Sequence, residues 1–353
     1  MLLNRLKDFL ASRVAPYANQ LDADAKLLKT RFIELGEQGL LAVKVAERFN
    51  GFAADRALTH DYFAMIASSS YALAFLVAQH ESCASLLQKG SNEAVKADLL
   101  TQMIQGQFRA GVGIYHLRHH AKRPMITAKK VAGGYRVSGR LDWVSGFEIF
   151  DHIALGFIVD EGKGSREVIG LVPFRAQSMN LGADMIEVGA VQEVTAVSAT
   201  NTVAIQFNNW LIDEKDIIVD HEGSVIQQRS VLSITHATML MGIFQAALNI
   251  ISDSGQITNQ DAVVLNQFKK FSNQHEQLRN ELLNTSTREQ VQHVRAKIHA
   301  QTRDCVYLAA ALSGGRAVLA DHSVQRLNRE LLQATVAGVN PLFIHSLCAS
   351  TTE

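Results

Sequence analysis

The run Asp142-Trp143-Val144-Ser145-Gly146 sets one of only two tryptophans in the chain beside a hydroxyl, just before a glycine. A large apolar ring beside a short hydroxyl donor can face a bound ligand. The same residues also suit a core tryptophan followed by a turn serine. Upstream, His116, Arg118, His119, His120, Lys122, Arg123, Lys129 and Lys130 make the most basic short stretch of the chain. Such a stretch can receive a phosphate, a phosphorylated tail or an anionic substrate, or it can be a solvated charged loop. His116, His119 and His120 have no carboxylate or cysteine at supporting spacing nearby, so no metal centre is expected. Gly314 and Gly315 permit a close backbone approach or interrupt a helix. Arg326 and Arg329 are expected to support ion pairs in a helical bundle rather than to touch substrate.

Bulk properties narrow the partners. In 353 residues, 34 Lys+Arg balance 34 Asp+Glu, so no general attraction to nucleic acid is built in. With 47% hydrophobic and 19% charged residues and only 4 prolines, the composition is that of a globular, helix-rich protein. Cys83, Cys305 and Cys348 form no close pair, which fits a reducing, cytoplasmic setting. The opening MLLNRLKDFLASRV mixes charges into its apolar residues and reads as an ordinary helix, without the apolar core of a signal peptide. Residues 230–252 carry no Asp, Glu, Lys or Arg and are long enough to cross a bilayer. They contain His236, Gln245 and Asn249, lack an aromatic belt and precede polar amphipathic segments, so a buried bundle helix is expected.

Periodicity divides the chain in three. Residues 1–107 repeat apolar positions every three or four residues, as in ADAKLLKTRFIELGEQGLL and DYFAMIASSSYALAFLVAQHESCASLLQKG, and form an expected helical domain in which Ser91 is the candidate cap of the SNEAVKADLLTQMIQG helix. Residues 108–215 change to β-rich runs, YRVSG, HIALGFIV, EVIGLVPF and TVAIQFNNWLI, separated by turn-prone clusters. Residues 216–353 return to long helical patterns that suggest a four-helix bundle. The expected fold class is therefore mostly α with a small central β domain.

This organisation resembles the acyl-CoA dehydrogenase family, and local strings carry the resemblance across nearly the whole chain. LGEQGLLAVKVAERFNGFAAD and HESCASLLQKGSNEAVKADLLTQMIQGQFRAGVGI resemble turns and helices of that family's first domain, and LSGGRAVLADHSVQRLNREL is similar to its C-terminal "gly-gly … arg-x-x-arg-asp" stretch. The string GGYRVSGRLDWVSG resembles the strand whose tryptophan lies against the flavin and whose hydroxyl nears flavin N5. The resemblance thus implies Trp143 as aromatic wall, Ser145 as the hydroxyl and Val144 between them. It also implies Gln267, Phe268, Gly314 and Gly315 as further flavin contacts, and FAD as cofactor, with FMN or loosely held reduced flavin as alternatives. Truncating Trp143 to Ala is expected to cost about 3 kcal/mol in stability or cofactor retention, through lost burial and a cavity. His116, Arg118 and Arg123 are the candidate contacts for substrate or phosphate.

The sequence also departs from the family. The proton-abstracting glutamate falls at Gly338, which cannot remove an α proton from a thioester. Some branches keep the base on an earlier helix, in the region of His236, although a histidine there is unusual. The cofactor- and substrate-contacting loop is replaced by GVGIYHLRHHAKRPMITAKK, and the pyrophosphate-gripping arginine is Leu265, which offers no charge-assisted bond. The resemblance implies a flavin-dependent oxidation of an acyl thioester at its α,β carbons, with an electron acceptor and a homodimer or homotetramer. Two alternatives stand beside it. One is a two-component flavin monooxygenase fed by a reductase, although the histidine usual in that branch falls at Ala337, with His345 too far along. The other is a non-catalytic relative.

Overall fold

In a computed structural model, residues 2–90, 92–119, 124–160, 165–175, 178–181, 184–222 and 233–350 are described. Among the described residues, five helices of eight or more residues come first: α1 (Leu2–Phe9), α2 (Ala25–Glu37), α3 (Arg56–Ser69), α4 (Tyr71–Lys89) and α5 (Glu93–Ile104). Their starts follow from short polar side chains that accept the free amides of the first turn. Asp24 accepts from Lys26 and Leu27, Asp55 from Leu58, and Ser70 from Leu73. The cap of α5 is Asn92, accepting from Val95 at 3.2 Å. It stands one residue after the expected Ser91, which lies outside the described residues.

The strands β1 (Ala110–Gly113), β2 (Ile126–Val131), β3 (Gly134–Val144), β4 (His152–Asp160), β5 (Ser165–Pro173), β6 (Ser178–Leu181), β7 (Asp184–Val188), β8 (Val203–Asp213) and β9 (Ile217–Glu222) make one nine-stranded sheet. Its order is β6-β7-β8-β3-β2-β4-β5-β9, with β1 parallel to β4. All four β-rich runs of the sequence are strands, and the chain adds β1 and β2 inside the stretch read as a basic loop. Lys129 and Lys130 therefore sit in a ladder opposite Arg136 and Tyr135. The loop is confined to the turn between them, where Tyr115–His119 form a 3-10 helix.

The C-terminal helices are α6 (Thr235–Ser252), α7 (Ala262–Leu283), α8 (Arg288–Leu312), α9 (Ser323–Val336) and α10 (Pro341–Ser350). The uncharged segment forms α6, the central helix, which packs against α3, α4, α7, α8 and α9 and buries Met239, Leu240, Met241, Ile243 and Phe244. This surrounding by other helices explains why it can dispense with a polar face. Among the described residues, no helix is long and apolar enough to cross a membrane.

Buried polar ties join the three regions. His80 on α4 hydrogen-bonds Met103 O at 2.9 Å and Ala110 O at 3.2 Å, linking helices to sheet, and burial pushes its pKa down to about 4. Asp22 accepts from the Val197 amide at 3.2 Å and from Arg329 at 2.7 and 2.9 Å. Beside it, buried Arg326 pairs with buried Glu330 at 2.9 Å, and Glu330 also accepts from the Tyr71 amide at 3.1 Å. Arg326 and Arg329 are thus the ion-pair residues the sequence suggested.

Candidate functional site

Two groups of side chains have chemistry to offer. The first lies at the end of β3. The ladder between β3 and β8 shifts register between Leu141 and Val144, and this bulge turns Trp143 outward, leaving it 72% exposed. Val144, next in the chain, is buried in the core. Trp143 is therefore not a core residue, and the stability cost expected from cavity formation is withdrawn: an exposed ring leaves no cavity behind. Ser145 Oγ lies 2.8 Å from Thr202 Oγ1, and Thr202 is buried. That contact fixes the serine hydroxyl immediately after the exposed ring. Gln192 Nε2 donates to the Asp142 carbonyl at 2.7 Å and closes the bulge from the other side.

The second group surrounds the position where the family glutamate is missing. Gly338 has φ +61°, in the left-handed region, and follows the end of α9. A Cβ added there would stand 2.6 Å from His236 Nε2. The imidazole, carried by the first turn of α6, thus fills the space a side chain at 338 would need. Arg295 on α8 holds the turn: its guanidinium donates to Ala334 O at 2.8 Å, Ala337 O at 2.6 Å and Gly338 O at 3.4 Å, with Phe343 stacked 4.0 Å away. Opposite, the Tyr115 hydroxyl donates to Val339 O at 3.3 Å, and Arg118 lies 5.2 Å from the Tyr115 ring.

Burial, reinforced by the charges of Arg295 and Arg118, pushes the His236 pKa down to about 3. Burial also lowers Arg295, to about 10. His236 is therefore neutral at ordinary pH. Its Nδ1 and the Nε of Arg295 are buried atoms without a hydrogen-bond partner among the described residues. No carboxylate there forms an ion pair with Arg118, Arg288 or Arg295.

The other sequence candidates are dispersed. Gln267 and Phe268 are half-buried on α7, where Phe268 packs against the core and its carbonyl accepts from Ser272. Gly314 and Gly315 follow α8; a Cβ on either would meet nothing within 4 Å, so neither serves helix packing. His116 is buried rather than solvated. Arg123, His120 and Lys122 lie outside the described residues, as does any account of the His119 side chain. No group of three metal-ligating side chains occurs among the described residues. His345 is exposed on α10, and Ala337 contributes its carbonyl to Arg295. Sequence reasoning missed Thr202 and Arg295. The first needed the register of two strands 57 residues apart, and the second carried no local motif.

Comparison with known proteins agrees with this architecture. Residues 1–107 match the family model described as acyl-CoA dehydrogenase, N-terminal domain. A 3-(aryl)acrylate reductase of Clostridium sporogenes is 22% identical over 250 residues, which cover 69% of this chain and 64% of that protein. A probable acyl-CoA dehydrogenase of Bacillus subtilis, YngJ, is 21% identical over 261 residues, covering 70% and 66%. The matched regions thus span about two thirds of the length of these relatives. Butyryl-CoA dehydrogenase from Megasphaera elsdenii superposes with a TM-score of 0.79 at 16% identity, over 100% of this chain and 97% of that one. Residues 1–107 thus match the N-terminal domain of the acyl-CoA dehydrogenase family, and the whole chain has the fold of solved acyl-CoA dehydrogenases.

Proposed function

We propose that the protein is a flavin-dependent oxidoreductase of the acyl-CoA dehydrogenase type, acting at the α,β carbons of an acyl thioester with FAD as cofactor. The observation that carries this reading is the exposed Trp143 beside a Ser145 hydroxyl fixed by buried Thr202. An aromatic of this size left in water by a strand bulge fits a flat ring system that would cover it. Open space around Gly314 and Gly315 suits a close approach from a second subunit. The names of both relatives agree with redox chemistry on an acyl or acrylate group. When bound, flavin supplies the hydride-accepting or hydride-donating centre.

The chain's own residues do the rest. Trp143 excludes water from the ring face, and Ser145 donates toward it while Thr202 accepts or donates behind. His236, neutral and seated in the notch at Gly338, accepts the α proton in the oxidative direction. A pKa near 3 makes it a weak base, but the Arg118 and Arg295 charges that depress it also favour the negative charge developing on the substrate. Leu265, in place of a pyrophosphate-gripping arginine, favours as a second reading loosely held reduced flavin delivered by a reductase. A homodimer or homotetramer, an electron acceptor and a cytoplasmic setting complete the proposal.

The test is the visible spectrum of the purified protein before and after FAD, then with acyl-CoA esters. A yellow complex bleached by a thioester is the expected result. A protein that stays colourless with FAD would overturn the flavin assignment.

A further inference from the structure

A bulge that turns a side chain out of a sheet has to be held in one shape if that side chain is to meet a ligand at a fixed angle. Between the pairs Leu141 with Ile205 and Val144 with Val203, β3 sets two residues, Asp142 and Trp143, opposite the single residue Ala204 of β8. We propose that Gln192 is the positioning residue for the Trp143 ring, strapping the bulge across the end of β8 and so fixing the face that the ring presents to a flat ligand. The inference deepens the functional reading above and rests on it for the identity of that ligand as flavin.

Three contacts build the strap. Beyond β7 the chain continues alongside β8: the Gly189 amide donates to Ala204 O at 2.8 Å and the Gln192 amide to Thr202 O at 2.9 Å. Gln192 therefore starts on the β7 side of β8. Its side-chain Nε2 donates to the Asp142 carbonyl at 2.7 Å, and Asp142 belongs to β3, on the other side. The side chain thus spans the end of β8 and finishes on the peptide group that leads into Trp143. A peptide group is planar, so holding its carbonyl sets the direction in which the next residue departs. Beyond the ring, Ser145 Oγ meets Thr202 Oγ1 at 2.8 Å. Buried Thr202 is therefore a common anchor, its carbonyl holding Gln192 and its hydroxyl holding Ser145.

The ring itself is 72% exposed, so its orientation depends on the backbone beneath it more than on packed neighbours. An aromatic wall works through the angle at which it meets a second ring system. A carboxamide suits the strap because it donates a hydrogen bond without bringing a charge to that surface.

The test uses the full chain labelled with fluorotryptophan. With two tryptophans in the sequence, the fluorine spectrum holds one resonance from exposed Trp143 and one from buried Trp210, and Trp143→Phe assigns them. Gln192→Met keeps the length of the side chain and removes its donor. Its Trp143 resonance is expected to shift, with the Trp210 resonance and thermal melting unchanged. Thr202→Val should shift the same resonance, whereas Thr202→Ser, which keeps the hydroxyl, should leave it in place. In a separate titration, FAD should bind at least about tenfold more weakly to Gln192→Met than to the parent chain. An unmoved Trp143 resonance in Gln192→Met, or undiminished FAD affinity once it has moved, would overturn the proposal. So would a Gln192→Met chain that fails to fold or shifts both resonances, because the strap would then hold the sheet rather than the ring. If the parent chain binds no FAD, the flavin reading falls, while the fluorine spectra still decide whether Gln192 orients the ring.

Discussion

Two groups of arginines around the C-terminal helices are built on opposite principles. At the junction of α9 with the N-terminal helices and the sheet loop, each cation has its anion: Arg326 pairs with Glu330 and Arg329 with Asp22. Around the Gly338 turn, buried Arg295 has backbone carbonyls and the Phe343 ring but forms no ion pair with a carboxylate among the described residues, while exposed Arg118 lies over the Tyr115 ring. Charge taken out of water is costly unless paired, so a paired cluster can be purely structural. An unpaired one is retained against that cost and calls for a ligand or a chemical task. The comparison separates what locks the fold from what the fold offers.

The largest expected effect lies in the locked cluster. Glu330→Ala would leave Arg326 buried without its carboxylate, and breaking one side of such a pair costs about 3–5 kcal/mol. Loss of the acceptor for the Tyr71 amide adds to this. The denaturation midpoint should fall accordingly, while the double variant Arg326→Met, Glu330→Leu should recover much of the loss because no lone charge remains. If Glu330→Ala melts like the parent protein, the junction is not what holds α9 in place and the contrast between the clusters fails.

A smaller effect is expected in the unpaired cluster. Gly338→Ala forces an L side chain into a left-handed conformation, which costs about 1–2 kcal/mol, and drives its Cβ against His236 Nε2. Combining it with His236→Ala separates the two causes. The backbone share should persist in the double variant and the steric share should vanish, so the stability losses of the single variants should exceed that of the pair. Strict additivity would show that imidazole and turn do not touch, and the notch would lose its meaning.

How far these features could be read from the sequence depends on how local their causes are. Strand alternation in YRVSG and TVAIQFNNWLI was legible because each residue announces its own face. Arg326 and Arg329 were readable as structural because their spacing fits a helix, yet Asp22, the partner of Arg329, lies 307 positions away and nothing local points to it. Trp143 stood out by type, but its exposure comes from a one-residue bulge against β8, which periodicity alone cannot reveal. Gly338 looked like a simple loss of a base. Only the fold brings His236 into the vacated volume, since the two are joined by helix crossing rather than by sequence. The basic stretch after Gly113 was overread as one loop because lysines in β2 alternate with too few apolar residues to advertise a strand.

The smallest stability effect, and the sharpest division between locking and offering, is expected at Trp143. Its ring is 72% exposed, so Trp143→Ala removes little buried area and should change unfolding free energy by no more than about 0.5 kcal/mol, the usual range for surface substitutions. Flavin retention should nevertheless drop, because the water-excluding face is gone while the Ser145–Thr202 contact stays intact. Melting and bound flavin measured on the same preparation decide the matter. A large fall in melting temperature would put the ring among packed neighbours and assign it to the locked part of the molecule. Unchanged melting with unchanged flavin would leave the exposed ring without a ligand at all. Only unchanged melting with lost flavin makes the end of β3 a working surface, held in place by a sheet that does not need it.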